Sequence, residues 1–146
     1  MQQALELARR AAQAGEVPIG ALVVRGNSVI GRGGNAPIDC QDPTAHAEIL
    51  ALREAARHLE NYRLPGCRLY VTLEPCTMCA GALIHARIDE LIFAAREPRS
   101  GAVVSTARVL ENPHLNHRVK VLEGVAAEES AQLLKSFFRN RRGSHA

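Results

Sequence analysis

The sequence predicts an α/β domain in which a mixed sheet of about five strands lies between layers of helices. Two strand patterns, 17–25 and 28–32, flank a Gly-Asn turn and predict an antiparallel hairpin. A strand over 67–73, a helix over 77–86 and a strand over 88–94 then form a βαβ unit, whose two strands must be parallel. A hairpin followed by alternating strands and helices is typical of a sheet covered by helices on both faces.

The other elements follow from apolar periodicity and from helix start and stop signals. Apolar residues at helical spacing predict a first helix that ends at Gly15. Asp42 followed by Pro43 predicts the start of a second helix, which reaches about Leu59, because Asp is a favoured cap and Pro a favoured first residue. The remaining predicted segments are a loop over 33–43, a helix over 101–110, a strand over 118–122 and a closing helix over 128–141.

Length and composition limit the class of protein. At 146 residues the chain is long enough to bury one core, and we expect a single domain over residues 1–146. Its first residues are interrupted by Glu6, Arg9 and Arg10, so they lack the apolar run of a signal peptide and are too polar to span a membrane. We therefore expect a cytoplasmic protein. In a reducing compartment its four cysteines indicate metal ligands, catalytic groups or buried thiols rather than disulfides.

Positive charge is concentrated in the C-terminal third. Nine Arg oppose ten Asp and Glu through Ala95, a net charge of −1, whereas nine Lys and Arg oppose five Glu from Arg96 onward, a net charge of +4. The chain approaches its end with Arg-Asn-Arg-Arg at 139–142. This run has two interpretations, an electrostatic footprint for a polyanion or a solvated helix end whose cations favour the helix dipole.

Two short motifs supply one candidate metal site. His46 lies in Thr-Ala-His-Ala-Glu, and Cys76 and Cys79 lie in Pro-Cys-Thr-Met-Cys. One imidazole and two thiolates are zinc ligands, and three protein ligands leave a fourth tetrahedral position open, which indicates a catalytic site. Glu48 supplies a carboxylate that could take a proton from a bound water and pass it to a leaving group.

The spacing of these residues predicts where the metal lies. Residues two apart do not share a helix flank, so His46 and Glu48 can serve one site only at the N-terminal end of their helix. Cys76 and Cys79 bracket the start of the next helix, where the helix dipole favours thiolates. Two thiolates and a neutral imidazole cancel the charge of Zn²⁺, so a bound water is acidified less than in an all-histidine site. We therefore expect Glu48 to complete its deprotonation.

Two alternatives compete with an open zinc site. A lone Cys-x-x-Cys at a strand-to-helix turn is also typical of a redox dithiol. A closed structural site needs a fourth protein ligand, and the candidates are Cys40, Cys67, His58 and His85. Cys67 is about 20 Å from Cys76 along the predicted strand, and His58 about 18 Å from His46 along its helix. His85 is two turns beyond Cys76, whereas Cys40 lies in a loop and stays open as a candidate.

Beyond these motifs, the sequence resembles the bacterial tRNA adenosine deaminases, which convert the wobble adenosine to inosine. His-x-Glu followed by Pro-Cys-x-x-Cys is the signature of zinc nucleobase deaminases in general. The pieces that carry the closer resemblance are 16–21, 35, 42–49, 61–64, 69–76, 78–82, 116–119 and 137–139. The resemblance covers nearly the whole chain, and 116–119 and 137–139 are specific to the tRNA branch.

The resemblance implies a three-layer α/β/α cytidine-deaminase-like fold, one Zn²⁺ per subunit, a homodimer and a tRNA anticodon stem-loop as substrate. It implies that Val17, Asn35, Ala47 and Leu73 line the flipped-out adenosine, and that Asn116 and Arg139 contact RNA. Where the family usually has Asp-Pro-Lys, this chain has Glu-Pro-Arg, and Glu97 is the residue expected near the neighbouring sugar. The implied reaction is hydrolytic deamination at C6 of adenine, with Glu48 moving protons to N1 and the departing amine.

Two other functions stay open from the sequence. The first is deamination of free nucleosides, nucleotides or bases such as cytidine, deoxycytidylate or guanine, which requires no basic tail and no steep dependence on salt. The second is a zinc-stabilised RNA-binding module without catalysis, for which Glu48 has no role.

Overall fold

The computed structural model describes residues 1–144 and confirms a mixed five-stranded sheet with helices on both faces. In chain order the elements are α1 (Gln2–Gln13), β1 (Gly20–Arg25), β2 (Ser28–Gly34), α2 (Ala47–Leu59), β3 (Cys67–Leu73), α3 (Thr77–His85), β4 (Glu90–Ala95), β5 (Lys120–Glu123) and α4 (Ala127–Ser144), with a short 3-10 helix at Val109–Glu111. None of the helices within residues 1–144 has the length and apolar character needed to cross a membrane.

The strand order places several loops at one edge of the sheet. The order is β2-β1-β3-β4-β5, in which β1 is antiparallel to β2 and β3, while β3, β4 and β5 are parallel. Leu73 pairs with Ala95, so the chain leaves β3 and β4 side by side. Because β1 runs the opposite way, its first residue, Gly20, lies at the same edge and donates its N–H to Oγ1 of Thr72 at 3.1 Å. We call this the carboxyl edge, after the ends of β3 and β4.

Helices cover both faces of the sheet. The helix α1 contacts β1, β2 and β3, and α4 contacts β3, β4 and α1, whereas α2 packs on β2 and β1 from the other side and contacts α3. Successive side chains of β1 point to opposite faces of the sheet. Leu22 packs with Ala4 of α1, and Val23 belongs to the larger core beneath α2 and α3. The result is the expected three-layer α/β/α arrangement.

Two glycines of β2 let α2 lie close to the sheet. A Cβ at Gly33 would stand 2.2 Å from the carbonyl oxygen of Ala47, and a Cβ at Gly31 would stand 2.2 Å from that of Ala51. Any side chain there would push the helix away. The glycines therefore fix the height of the first turns of α2 above the sheet, including the turn that carries Glu48.

The predicted start of the second helix at Asp42 is wrong. Oδ1 of Asp42 accepts the backbone N–H of Thr44 at 2.8 Å and its hydroxyl at 2.7 Å, so this side chain closes a local turn and caps no helix. The helix begins at Ala47, with His46 in the extended conformation of an N-cap residue. The strand predicted from residue 17 also begins later, at Gly20.

The predicted helix over 101–110 is wrong as well. This segment forms turns and ends in the short 3-10 helix. Three of its consecutive N–H groups, those of Val103, Val104 and Ser105, donate to the carboxylate of Glu74. A carboxylate that follows β3 and is distant in sequence thus replaces the carbonyls of a helix as the acceptor.

Candidate metal centre and active site

His46, Cys76 and Cys79 meet at the carboxyl edge of the sheet. Nδ1 of His46 lies 3.6 Å from Sγ of Cys76 and 3.6 Å from Sγ of Cys79, and the three ligand atoms lie within 4.8 Å of one another. Within residues 1–144 no other group of three His, Cys, Asp or Glu side chains meets this criterion. The four candidates for a fourth ligand contribute no atom to it: Cys40, Cys67, His58 and His85. The three residues alone leave room for a further ligand.

The donor set fits zinc in type and in spacing. Zn–N distances of about 2.0–2.1 Å and Zn–S distances of about 2.3 Å in a tetrahedral site put a nitrogen and a sulfur ligand about 3.5–3.6 Å apart. Both nitrogen-to-sulfur distances lie in this range. These two distances therefore match those expected for tetrahedral coordination of one zinc ion.

Two helix starts bring the ligands together. His46 is the N-cap of α2, and Cys76 is the N-cap of α3, both in extended conformation. Cys79 is the third residue of α3, one turn from Cys76. Both helices thus direct their N-terminal, positive ends toward the cluster, which favours anionic ligands. This arrangement agrees with the location that the spacing predicts.

The two thiols differ in acidity. Hydrogen bonding with Cys79, assisted by His46 and opposed by burial, lowers the pKa of the Cys76 thiol to about 5. The same hydrogen bond, together with burial and the nearby Glu48 carboxylate, raises the pKa of Cys79. Both thiols must lose their protons when they act as thiolate metal ligands.

Glu48 lies beside the three ligands. It is the second residue of α2, and only 4% of it is exposed. Burial raises the pKa of this carboxyl, although hydrogen bonds to its own backbone N–H and to Cys79 oppose the effect. A buried carboxyl next to a metal-ligand set is the arrangement that a proton shuttle needs.

Four residues expected to line the substrate also lie at the carboxyl edge. Leu73 ends β3, Ala47 begins α2, Asn35 follows β2, and Val17 precedes β1. Asn35 is 7% exposed, and its Oδ1 is buried without a hydrogen-bond partner among the described residues. Buried polar atoms are rarely left in this state unless a ligand or water completes them.

Glu97 follows β4 at the same edge but turns back on its own loop. Its Oε2 accepts the hydroxyl of Ser100 at 2.5 Å and also the backbone N–H of Ser100. Partial burial would raise the pKa of Glu97, but the hydrogen bonds from Ser100 outweigh it and the pKa lies below its usual value. Glu97 therefore closes the turn that carries Arg99.

The two remaining predicted RNA contacts, Arg139 and Asn116, lie in different parts of the structure. Arg139 of α4 shares a surface groove with Arg99, so α4 reaches the loop that follows β4. Asn116 is exposed and precedes β5, next to His117, whose Nε2 lies 2.7 Å from the carbonyl oxygen of Ile88 before β4. The structure therefore does not bring Asn116 to the carboxyl edge, because β4 and β5 are parallel and both begin at the other edge.

Two buried carboxylates near the site are not among the predicted site residues. Glu74, 3% exposed, accepts hydrogen bonds from the loop after β4, and Glu16, 2% exposed, accepts the N–H groups of Ile38 at 3.3 Å and Asp39 at 2.8 Å. Both loops border the carboxyl edge. No motif spacing identifies such residues, and the only signal is an acidic residue placed at the end of an apolar strand or helix.

Residues 1–142 match the MafB19-like deaminase family. The tRNA-specific adenosine deaminase of Haemophilus influenzae is 50% identical over 143 residues, which are 97% of this chain and 83% of that protein. A solved structure from a study of A-to-I editing by tRNA:A34 deaminases at the wobble position is 48% identical, with a TM-score of 0.89, and the match covers 92% of this chain and 97% of that one. The guanine deaminase of Nitrosomonas europaea is 31% identical, with a TM-score of 0.80 over 93% of this chain and 81% of its own.

The relatives share the fold and differ in how closely their sequences match. The adenosine deaminase from Haemophilus influenzae agrees at half of the aligned positions, and the guanine deaminase at less than a third. By this identity over nearly its full length, and by the His-x-Glu and Cys-x-x-Cys cluster at two helix starts, the chain belongs to the tRNA-specific adenosine deaminases.

Proposed function

We propose that this chain catalyses the hydrolytic deamination of adenosine to inosine at the wobble position of a tRNA anticodon loop, and that it does so as one deaminase domain. The observation that carries the proposal is the buried Glu48 carboxyl beside three ligand atoms spaced for zinc. Membership of the tRNA-specific adenosine deaminases supports the substrate class.

His46, Cys76 and Cys79 would hold one zinc ion per subunit. Zinc supplies a Lewis acid that activates water for attack on a ring carbon. In the reaction the water oxygen bonds to C6 of adenine, the bond from C6 to the amino nitrogen breaks, and ammonia leaves. The three ligands also hold α2 and α3 together at their N-termini, so the Glu48 carboxyl stays beside the reacting atoms.

Glu48 moves the protons. Its carboxylate takes one proton from the attacking water and passes it to N1 of adenine, and then takes the second proton from the new hydroxyl on C6 and passes it to the departing amine. Because burial raises the pKa of Glu48, the group retains a proton more readily than an exposed carboxyl before passing it on. Near-complete burial also keeps bulk water from competing for that proton.

The edge residues would bind the flipped-out nucleotide. The unpaired Oδ1 of Asn35 can accept a hydrogen bond from a ribose hydroxyl or a purine N–H, which would remove an unpaired buried acceptor that costs about 1–3 kcal/mol. The side chains of Val17 and Leu73 supply apolar walls, and the backbone of Ala47 faces the base edge. A base removed from its stack needs such apolar and polar contacts together.

A basic groove beside the site suits the rest of the anticodon stem-loop. Its lining residues are Arg99, Leu134, Lys135, Phe138, Arg139 and Arg142. Four cations attract phosphates, and the ring of Phe138, 42% exposed, offers a surface for an unpaired base. Glu97, in the same loop as Arg99, would lie next to the neighbouring ribose. A tRNA substrate implies a cytoplasmic enzyme.

We propose a homodimer as well. An apolar groove between α2 and α3 includes Leu52, Ala56 and Ala82, and Tyr62 beside it is 71% exposed. Apolar helix faces with exposed aromatic residues are typical of subunit interfaces. Analytical ultracentrifugation at micromolar concentration is expected to give twice the chain mass of 15.8 kDa. A single species at the chain mass would contradict the dimer.

The function is tested by incubating the zinc-loaded protein with an anticodon stem-loop RNA that carries adenosine at the wobble position. Free adenosine, cytidine and guanine are run in parallel, since guanine deaminases share this fold. Mass spectrometry is expected to detect inosine in the stem-loop alone. Conversion of guanine or a free nucleoside without conversion of the RNA would assign the zinc chemistry to a small substrate and reject the RNA proposal.

A further inference from the structure

The loop over residues 97–105, which we call the 97–105 loop, is held by one carboxylate. Oε2 of Glu74 accepts the N–H groups of Val103 at 3.1 Å, Val104 at 2.9 Å and Ser105 at 2.9 Å. Oε1 accepts the N–H of Glu97 at 3.1 Å and the hydroxyl of Ser105 at 2.5 Å. The two oxygens therefore bind both ends of the loop, and all five donors are satisfied by one side chain.

The loop is shaped around this carboxylate. A Cβ at Gly101 would lie 2.4 Å from Cδ of Glu74, so the backbone can cross the carboxyl group only at a glycine. The Glu74 side chain is buried inside the curve of the loop, where three consecutive N–H groups form an anion-binding concavity. The anion that fills it is a protein side chain.

The same residue connects the loop to the metal ligands. Glu74 is two residues before Cys76, and the residue between them, Pro75, accepts the N–H of Ala102 at 2.8 Å. On the other side, the N–H of Glu74 donates to the carbonyl of Ala95 at 2.8 Å. The turn that supplies Cys76 and the loop that supplies Arg99 are therefore parts of one hydrogen-bonded unit.

We propose that Glu74 is a positioning residue for the RNA substrate, and this inference rests on the proposed function. Its carboxylate sets the conformation of the 97–105 loop relative to the Cys76 turn, so that Glu97 and Arg99 meet the nucleotides next to the adenosine while the adenosine occupies the metal site. Glu74 touches neither the metal ligands nor the reacting atoms through its side chain. Its loss therefore affects substrate binding more than the chemical step.

The variant Glu74→Gln tests this role because it disturbs one end of the loop. An amide oxygen in place of Oε2 can keep the three N–H bonds of 103–105, but the amide NH₂ then faces the N–H of Glu97, and two donors oppose each other. Loss of one such bond predicts that KM for the stem-loop RNA rises about tenfold. We expect kcat to change by less than about threefold and zinc content to stay at the wild-type value, because metal and base are untouched.

A second measurement does not depend on the substrate. Amide hydrogen exchange of the free protein, read by NMR, is expected to show faster exchange at Glu97 in Glu74→Gln, by about tenfold. Ser130→Ala is the matched control, because it removes another buried hydrogen bond, from the Ser130 hydroxyl to the carbonyl of Thr72, away from the loop. This control is expected to lower the melting temperature while leaving KM and the Glu97 exchange rate unchanged.

The outcomes separate the inference from the proposed function. If wild-type protein forms no inosine, the proposed function fails, and the exchange rate of Glu97 still decides whether Glu74 holds the loop. If Glu74→Gln yields no folded protein, Ser105→Ala, which removes only the hydroxyl bond to Oε1, is expected to raise KM about threefold at constant kcat. Unchanged KM in these variants, or an equal rise of KM in Ser130→Ala, would overturn the positioning role.

Discussion

The metal centre and the 97–105 loop lie at the same edge of the sheet but are built in opposite ways. The metal ligands are the N-cap residues of two helices and the third residue of one of them, so regular local structure places them. The loop has no helix or strand, and Glu74 holds it across 23 to 31 residues of sequence. Short sequence motifs thus position the metal ligands, whereas one carboxylate that is distant in sequence positions the loop proposed to contact the substrate. We expect substitutions in the centre to abolish turnover, and substitutions in the loop to change binding and stability.

Removal of a metal ligand is expected to have the largest effect on zinc binding and turnover. Cys79→Ser replaces a buried thiolate by a hydroxyl, which is a poor zinc ligand, so we expect zinc content far below one ion per chain and no detectable turnover. Elemental analysis of the purified protein measures the metal. Cys40→Ser is the matched control, since Cys40 is exposed and outside the cluster, and it is expected to keep both zinc and activity. Full zinc content in Cys79→Ser would exclude Cys79 as a ligand.

Loss of the proton shuttle is expected to reduce turnover without reducing zinc binding. Glu48→Gln keeps the size of the side chain but cannot exchange protons, so we expect normal zinc content and turnover lower by about 10⁴-fold. Single-turnover inosine formation measures the effect. Glu54→Gln, the same change at an exposed position of α2, is expected to leave turnover unchanged. Turnover near the wild-type rate in Glu48→Gln would remove this residue from the mechanism.

Substitutions at two glycines are expected to change the free energy of unfolding by intermediate amounts and in opposite directions. Gly101→Ala places a Cβ against the Glu74 carboxyl and is expected to destabilise the fold by about 1–3 kcal/mol. Gly81→Ala lies within α3, where a Cβ meets nothing within 4 Å, and is expected to stabilise by about 0.5–1 kcal/mol through helix propensity. Urea unfolding followed by circular dichroism measures both. A Gly101→Ala protein as stable as wild type would show that the loop is not packed around Glu74.

The smallest predicted effect is a dependence of stability on pH. Burial would raise the pKa of Glu74, but hydrogen bonds from Ser105, Val104 and Glu97 outweigh it and lower the pKa below its ordinary value of 4.5. A carboxyl with a lower pKa in the folded state stabilises the protein above its unfolded pKa, and this contribution is lost as the pH falls through the folded pKa.

The free energy of unfolding of wild type should therefore exceed that of Glu74→Gln at pH 7, and the difference should shrink as the pH falls below about 4.5. Urea unfolding at a series of pH values measures the difference. Release of metal in acid is common to both proteins and cancels in the comparison. A difference that stays constant from pH 7 to pH 3 would mean that the charge on Glu74 does not hold the loop.

The sequence was sufficient for the parts of the molecule that depend on local pattern. The strand Cys67–Leu73 has the predicted bounds, because a segment rich in apolar and β-favouring residues lies between the turn signals Gly66 and Pro75. His46, Cys76 and Cys79 meet as predicted because helix starts expose their first residues in one direction. Periodicity and spacing contain this information.

The errors arose where a side chain competes with the backbone for hydrogen bonds. Asp42 has the sequence pattern of a helix cap, but it closes a turn with Thr44, and α2 begins five residues later. The segment 101–110 has apolar residues at helical spacing, but Glu74 takes its N–H groups. The acceptor lies about thirty residues away in sequence, so no local window could include it. The placement of Asn116 at the far edge likewise depends on the parallel pairing of β4 and β5.

The site of deamination can be located in an RNA that contains several adenosines. A tRNA transcript with adenosine at the wobble position is incubated with the zinc-loaded protein, digested, and analysed by mass spectrometry of the fragments. We expect inosine in the anticodon fragment alone, in wild type and not in Glu48→Gln. Inosine spread over other loops, or equal conversion by Glu48→Gln, would contradict it.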